Sequence, residues 1–184
     1  MNVKRKLLNG TLRLVAKRPS KSTDTVAELR QKIGKLDKPY APPAGIAYRK
    51  ENIVDLDCEW FEPEGLAEDA PLILYFPGGG FVLPAMNGHR ELLADVAKTN
   101  GCRALLAQYR LAPEELMPTG QLDGFNMYQY VLSTLKQSPS SLFLMGDSAG
   151  GNVVLSTLIQ ARNAGVPLPL GAMLLSPATD LTMG

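Results

Sequence analysis

The sequence predicts an α/β protein: a mostly parallel sheet with helices on both faces and a helical segment at the N-terminus. Three observations carry that reading. From residue 72 onward, short apolar runs alternate with segments of helical period, as crossover helices between parallel strands require. Two of those runs end in glycine-rich turns, Pro77-Gly78-Gly79-Gly80 and Gly146-Asp147-Ser148-Ala149-Gly150-Gly151. Upstream, Pro39, Pro42 and Pro43 separate this body from a helical arm.

In the arm, Leu8, Leu12 and Val15 recur at helical spacing, and so do Val26, Leu29 and Ile33. Thr25 and Glu28 have capping-box spacing, so each side chain can satisfy an orphan backbone N–H. Residues 46–53 and 56–61 read as two strands divided by charge, an antiparallel pair near a sheet edge. After an acidic turn, Leu72-Ile73-Leu74-Tyr75-Phe76 is unbroken and apolar, as a strand buried on both faces must be. Residues 91–98 form a helix with Leu92, Leu93 and Val96 inward, stopped at Asn100-Gly101. A buried strand at 102–108, a helix at about 121–135 and a strand at 141–145 follow. The next helix starts just after Ser148, runs to about residue 163 and ends at Gly165. Residues 172–175 are the last strand.

Composition narrows the classes further. Of the 184 residues, 45% are hydrophobic and 20% charged, which excludes a disordered chain, a collagen-like repeat and a disulfide-stapled miniprotein. Of the 19 basic residues, Lys4, Arg5, Lys6, Arg13, Lys17, Arg18 and Lys21 precede the first acid, Asp24, which leaves 12 to face 18 acids. A weakly acidic body with a short basic arm is not a nucleic-acid binder. The arm either packs its apolar face on the body, the usual fate of an amphipathic helix, or meets acidic lipid. Cys58 and Cys102 lie in apolar runs and read as buried thiols of a reducing compartment. His89 stands without other histidines, so no metal site is expected. No apolar run approaches the roughly 18 residues of a membrane helix. The basic start is interrupted by Asn9, Gly10 and Arg13, so no signal peptide is read and a cytoplasmic location is expected.

The chemistry concentrates in Gly146–Gly151, a G-x-S-x-G pattern between a buried strand and a helix. That context places Ser148 on a strained turn at the C-terminal end of the sheet, where a side chain at Gly146 or Gly150 would clash. The Ala149 N–H, at the helix start, points toward an oxyanion formed on a substrate bound to Ser148. The glycines after Pro77 leave further N–H groups uncovered for the same purpose. A phosphate cradle is the competing reading. It is poorly matched, because no lysine follows either cluster and Leu83 stands where a third glycine belongs.

Together with Tyr109-Arg110-Leu111-Ala112-Pro113-Glu114, these two turns resemble the hormone-sensitive-lipase family of α/β-hydrolases, the bacterial carboxylesterase group. The resemblance covers about residues 40–184 and implies an α/β-hydrolase fold in residues 41–184, with residues 1–40 as an N-terminal helical cap segment. It implies Ser148 as nucleophile and Gly79, Gly80 and Ala149 as oxyanion-hole donors. Residues 109–114 become a structural loop beside the site, and Asp147 part of the elbow but not the triad acid. Members of that family hydrolyse esters of short to medium acyl chains with no metal or organic cofactor.

Two departures stand out. Pro77 replaces the family's usual histidine, which removes a side-chain hydrogen-bonding group and one backbone N–H. The triad of α/β-hydrolases runs serine, acid, histidine along the chain, yet no histidine follows Ser148. Asp180 matches a structural position by resemblance. His89 begins the helix after the glycine loop and is the one candidate base, but it matches a histidine that is not catalytic in the family, which favours a helix-start or packing role. The expectation is a fold cut short after its sixth strand: a serine carboxylic-ester hydrolase whose triad acid and histidine lie outside this chain. The alternative is a truncated, non-catalytic hydrolase-like protein binding an acyl ligand or a partner chain. Met86, Met117 and Met127 are candidates to line an apolar pocket. An exposed sheet edge after residue 175 would favour a homo-oligomer.

Overall fold

The computed structural model describes residues 25–37 and 39–182. The expected helix through Leu8, Leu12 and Val15 lies outside them. Helix α1 (Val26–Leu36) starts at Thr25, whose hydroxyl accepts the Glu28 N–H while the Glu28 carboxylate accepts the Thr25 N–H. The capping box is therefore built as its spacing suggests.

Strands β1 (Ile46–Ile53) and β2 (Leu56–Pro63) form an antiparallel hairpin at one edge of a six-stranded sheet. Val54 and Asp55 both have positive φ, 46° and 64°, as a two-residue turn matched to strand twist demands. No glycine or asparagine marks that turn in the sequence. Beyond the hairpin come β3 (Leu72–Phe76), α2 (Asn87–Asn100), β4 (Arg103–Gln108), α3 (Thr119–Ser133), β5 (Leu142–Asp147), α4 (Ser148–Asn163) and β6 (Gly171–Leu175). The strand order is β1-β2-β4-β3-β5-β6. β2 pairs antiparallel with β4, while β4, β3, β5 and β6 run parallel. The mostly parallel sheet is thus borne out, with an antiparallel hairpin on one edge.

Period-two alternation sorts the core onto two faces. Leu72, Leu74 and Phe76 of β3 meet Met127, Tyr128 and Val131 of α3 and Val153 and Val154 of α4. Ile73 and Tyr75 point the other way, into a cluster with Leu93, Ala94 and Ala97 of α2. Helices therefore cover both faces. Met127 is fully buried in the core, and Met117 is 51% exposed.

Several boundaries move. Helix α2 begins at Asn87, four residues before the apolar period does, because His89 Nδ1 accepts the Met86 N–H and closes the first turn. It buries Leu93, Ala94 and Ala97, with Leu92 and Val96 only partly covered. Helix α3 is shifted two residues toward the N-terminus, and β5 continues through Asp147. Cys58 and Cys102 are buried free thiols, and burial pushes the Cys58 thiol up to about 12. β6 is the other edge strand, where Met173 and Leu175 of β6 and Phe143 of β5 remain exposed. Among the described residues no helix is long and apolar enough to cross a membrane, and no three His, Cys, Asp or Glu side chains gather as metal ligands.

Candidate active site

β5 ends in Gly146 and Asp147, and α4 begins at Ser148 with φ 48°. A non-glycine residue in that region is strained by about 1–3 kcal/mol and is held there only by its surroundings. The surroundings here are backbone. A Cβ on Gly146 would lie 2.5 Å from the Gly150 carbonyl oxygen, and one on Gly150 would lie 2.0 Å from the Phe76 carbonyl oxygen. On Gly151 it would meet Pro177 Cβ at 2.7 Å. Behind the serine, Ser148 O accepts the Ala178 N–H at 2.8 Å, and Asn152 Nδ2 donates to Ala178 O at 2.9 Å. Ser148 is left exposed at the end of the sheet. Ala149 sits in the first turn of α4, where backbone N–H groups have no partner within the helix.

The second turn follows β3. Pro77 has no N–H to give, but its carbonyl accepts the Tyr109 hydroxyl at 2.9 Å, so the loop is anchored through the backbone where a histidine side chain is absent. The Gly78 N–H donates to Asp147 Oδ1 at 2.8 Å, and a Cβ there would lie 2.2 Å from Asp147 Oδ2. Gly79 has φ 142° and its carbonyl accepts the Val82 and Leu83 N–H groups, while Gly80 and Phe81 both have φ 62°. Among the described residues nothing accepts from the Gly79 or Gly80 N–H. The predicted residues Ser148, Ala149, Gly79 and Gly80 thus lie on two turns joined by the bond from Gly78 to Asp147.

Residues 109–114 brace this loop from outside. The Ala112 N–H donates to Phe81 O at 2.8 Å, and the Arg110–Asp123 ion pair (2.7 Å) fixes the start of the segment. Arg30 of α1 ties both loops to the N-terminal helix. Its Nε donates to Val82 O, and its Nη2 to Ala112 O and Glu114, whose carboxylate also takes Nη1. Sequence reading found the loop and missed the arginine, whose targets lie 52 to 84 residues away.

His89 does not face the serine as an acceptor. Its Nδ1 accepts the Met86 N–H at 2.9 Å, and its Nε2 lies 3.6 Å from Asp147 Oδ2. Nδ1 is engaged at the start of α2, and Nε2 faces the Asp147 carboxylate at the end of β5. Asp180 is exposed and accepts from the Thr182 N–H and hydroxyl.

Sequence reading also passed over the Tyr75–Asp147 pair. Tyr75 is fully buried, and its hydroxyl donates to Asp147 Oδ1 at 2.5 Å. A tyrosine inside an otherwise apolar strand was the available signal, since a buried phenol needs a partner. Burial first, and the bond to Asp147 second, push the Tyr75 phenol far above its ordinary value, so it remains a donor. For Asp147 burial alone would raise the carboxyl, but bonds from His89, Tyr75 and the Gly78 N–H outweigh it and hold the group at about 2.

A pH dependence follows from that depression. As pH falls, the unfolded chain takes up this proton first, near the ordinary aspartate value, while the folded chain resists until about 2. The stability Asp147 contributes is therefore present above about pH 4 and lost between about 4 and 2. Urea midpoints at pH 6, 4 and 3 should show a steeper loss for the wild type than for Asp147→Asn. Parallel curves would contradict the assignment.

Residues 73–184 match the family model described as alpha/beta hydrolase fold. The chain is 33% identical over 124 residues to an acetyl-hydrolase of Streptomyces hygroscopicus, covering 67% of this chain and 40% of that protein. It is 33% identical over 125 residues to the hormone-sensitive lipase of Homo sapiens, covering 66% of this chain and 12% of the lipase. Among solved structures, an esterase/lipase from an uncultured bacterium superposes with a TM-score of 0.86 at 30% identity, over 99% of this chain and 60% of that one. An esterase of the bacterial hormone-sensitive lipase family gives 0.83 at 31% identity, over 98% of this chain and 59% of its own. The chain thus spans well under two thirds of these proteins' lengths.

Proposed function

The chain belongs to the α/β-hydrolase fold family, and from that membership we propose that it carries the nucleophile and oxyanion hole of a serine carboxylic-ester hydrolase. The substrates are small-molecule esters of short- to medium-chain acids. Relatives named esterase, acetyl-hydrolase and hormone-sensitive lipase support the reaction class. The observation that carries the assignment is Ser148, exposed at φ 48° on an elbow that only glycines can flank, beside a loop with two unbonded N–H groups.

In this reading Ser148 Oγ attacks the ester carbonyl carbon. The new C–O bond forms as the carbonyl electron pair moves onto oxygen, and the Gly79, Gly80 and Ala149 N–H groups bind that oxyanion. Collapse expels the alcohol, which leaves with a proton, and water then releases the acid from the acyl-enzyme. The proton of Ser148 needs a base, and the base needs an orienting acid. With His89 Nδ1 accepting from Met86 and Nε2 turned toward Asp147, we assign these roles to groups outside the 184 residues. The steps call for no metal or organic cofactor. Residues 1–40 act as a cap segment, a role supported by the contacts of Arg30 with both loops. A cytoplasmic location accords with the two buried free thiols.

The test uses the polypeptide as its source makes it. Its intact mass is measured first, and the protein is then incubated with a p-nitrophenyl alkylphosphonate. A mass well above 19.9 kDa, with one phosphonyl adduct on the Ser148 peptide and none on Ser148→Ala, is the expected result. A polypeptide that takes no adduct at Ser148 overturns the acyl-enzyme reading.

A further inference from the structure

The Gly80 N–H is one end of a chain of bonded peptides. A peptide unit is planar and trans, so the Gly79 carbonyl and the Gly80 N–H form one rigid piece whose two ends point in opposite directions. The Gly79 carbonyl accepts the Val82 N–H at 3.1 Å and the Leu83 N–H at 2.9 Å. Each of these donors shares its peptide with a carbonyl that is held in turn. The Val82 N–H belongs with the Phe81 carbonyl, which accepts the Ala112 N–H at 2.8 Å. The Leu83 N–H belongs with the Val82 carbonyl, which accepts Arg30 Nε at 2.6 Å. The Arg30 guanidinium is thus linked to the Gly80 N–H through two peptide planes bonded head to tail.

The other bonds of Arg30 aim its Nε. Glu114 Oε1 takes Nη1 at 2.7 Å, while Glu114 Oε2 and the Ala112 carbonyl take Nη2 at 2.9 and 2.7 Å. The apolar side chains of α1 add modestly, since Val26, Leu29 and Ile33 are each only half-buried. At its C-terminal end, Asp37 accepts the Asn87 N–H at 2.9 Å. A helix of 11 residues is marginal by itself, so these polar anchors hold it on the loops.

Resting on the reading of Gly80 as an oxyanion donor, we propose that Arg30 is a positioning residue that fixes and polarises this relay. Its charge draws on the Val82 carbonyl, which strengthens the Leu83 N–H as a donor to the Gly79 carbonyl. That bond in turn strengthens the Gly80 N–H, because hydrogen bonds in series reinforce one another. Both peptide dipoles turn their positive ends toward the place where negative charge develops. The effect is therefore greater in the transition state than in the bound ester. Arg30 touches no reacting atom, and through it the cap segment acts on the chemical step.

The experiment uses the polypeptide as its source makes it. Rates with p-nitrophenyl acetate give kcat and KM per folded molecule, and glycine-selective ¹⁵N labelling follows the Gly80 amide. Arg30→Ala should lower kcat about 10-fold with KM little changed, well short of the roughly 10²–10³ lost when an oxyanion donor is removed outright. The Gly80 amide proton should move upfield as its peptide loses polarisation. Arg30→Lys keeps the charge but not the planar fork that bonds two carbonyls and Glu114 at once, and should recover only part of kcat. Glu114→Gln removes the ion pair and leaves the relay, so it should expose α1 to proteolysis with kcat little changed. If Arg30→Ala does not fold, Arg30→Lys carries the test on the same two readouts. Unchanged kcat overturns the proposal whatever KM does, and so does an unmoved Gly80 amide. A fall in kcat as large for Glu114→Gln as for Arg30→Ala overturns it as well. If the wild type shows no Ser148-dependent hydrolysis, the hydrolase reading fails instead, and the Gly80 amide still decides whether Arg30 polarises the loop.

Discussion

With p-nitrophenyl acetate, the 184-residue chain alone is expected to turn over about 10⁴- to 10⁶-fold more slowly than a serine hydrolase with a complete triad. A serine hydroxyl is a weak nucleophile until a neighbouring base takes its proton, and triad members act as a unit. The chain has one histidine, and it is committed elsewhere: Nδ1 accepts from Met86 and Nε2 lies beside Asp147. Asp147 itself accepts from Tyr75 and Gly78 and is held at about 2, far too acidic to accept a serine proton at neutral pH. On the proposed mechanism only the oxyanion hole and substrate binding would remain, with an expected residual acceleration of about 10³–10⁴ over water. Steady-state rates for the chain and for Ser148→Ala decide the matter. Ser148-dependent turnover at about 1 s⁻¹ or faster would mean that a base is present, and His89→Gln would then identify or exclude His89.

Gly150→Ala should destroy the elbow. Its Cβ would stand 2.0 Å from Phe76 O, 2.6 Å from Phe76 C and 2.8 Å from Pro77 C. All three are backbone atoms at the end of a fully buried strand, so no side chain can rotate aside. Relief requires moving α4 away from β3, which opens the helix–sheet core and displaces the glycine loop at once. We expect a loss of at least about 3 kcal/mol and a melting temperature lower by roughly 10 °C, if soluble protein is recovered. Gly34→Ala is the matched control, since nothing lies within 4 Å of the added Cβ and the site is inside α1. Alanine there should stabilise the chain by about 0.5–1 kcal/mol. A Gly150→Ala protein melting within about 2 °C of wild type would show that the close approach of α4 to β3 is not needed.

How far the sequence could be read depended on the distance over which each feature is enforced. The elbow was legible because the G-x-S-x-G pattern stands between a buried strand and a helix and the crowding at Gly146 comes from Gly150 and Gly151 nearby, whereas the crowding at Gly150 comes from Phe76 and Pro77 at the end of β3. β3 was legible because five consecutive apolar residues have no other place to go. The start of α2 was legible only in part: His89 reads as a helix-start residue, but Asn87 and Gly88 carry no apolar period, and a side chain bonding backward to Met86 makes the turn. The hairpin turn at Val54-Asp55 was not legible. There the pairing of β1 with β2 imposes a left-handed conformation that Asp55 tolerates but the β-branched Val54 does not advertise.

By itself the sequence determined the order of elements, the two glycine turns and the serine within the second of them, because short-range sterics and periodic burial are written in neighbouring residues. Tertiary structure decided what those turns do to each other. Tyr75, Gly78 and His89 lie 72, 69 and 58 residues before Asp147, and no local pattern foretells that they converge on one carboxylate. It decided too that the chain's histidine is spent on a helix start and on that carboxylate, and that Arg30 holds both loops. Hydrogen bonds of this kind depend on groups placed within about 3 Å of each other, and only the packed sheet and its helices set distances that fine.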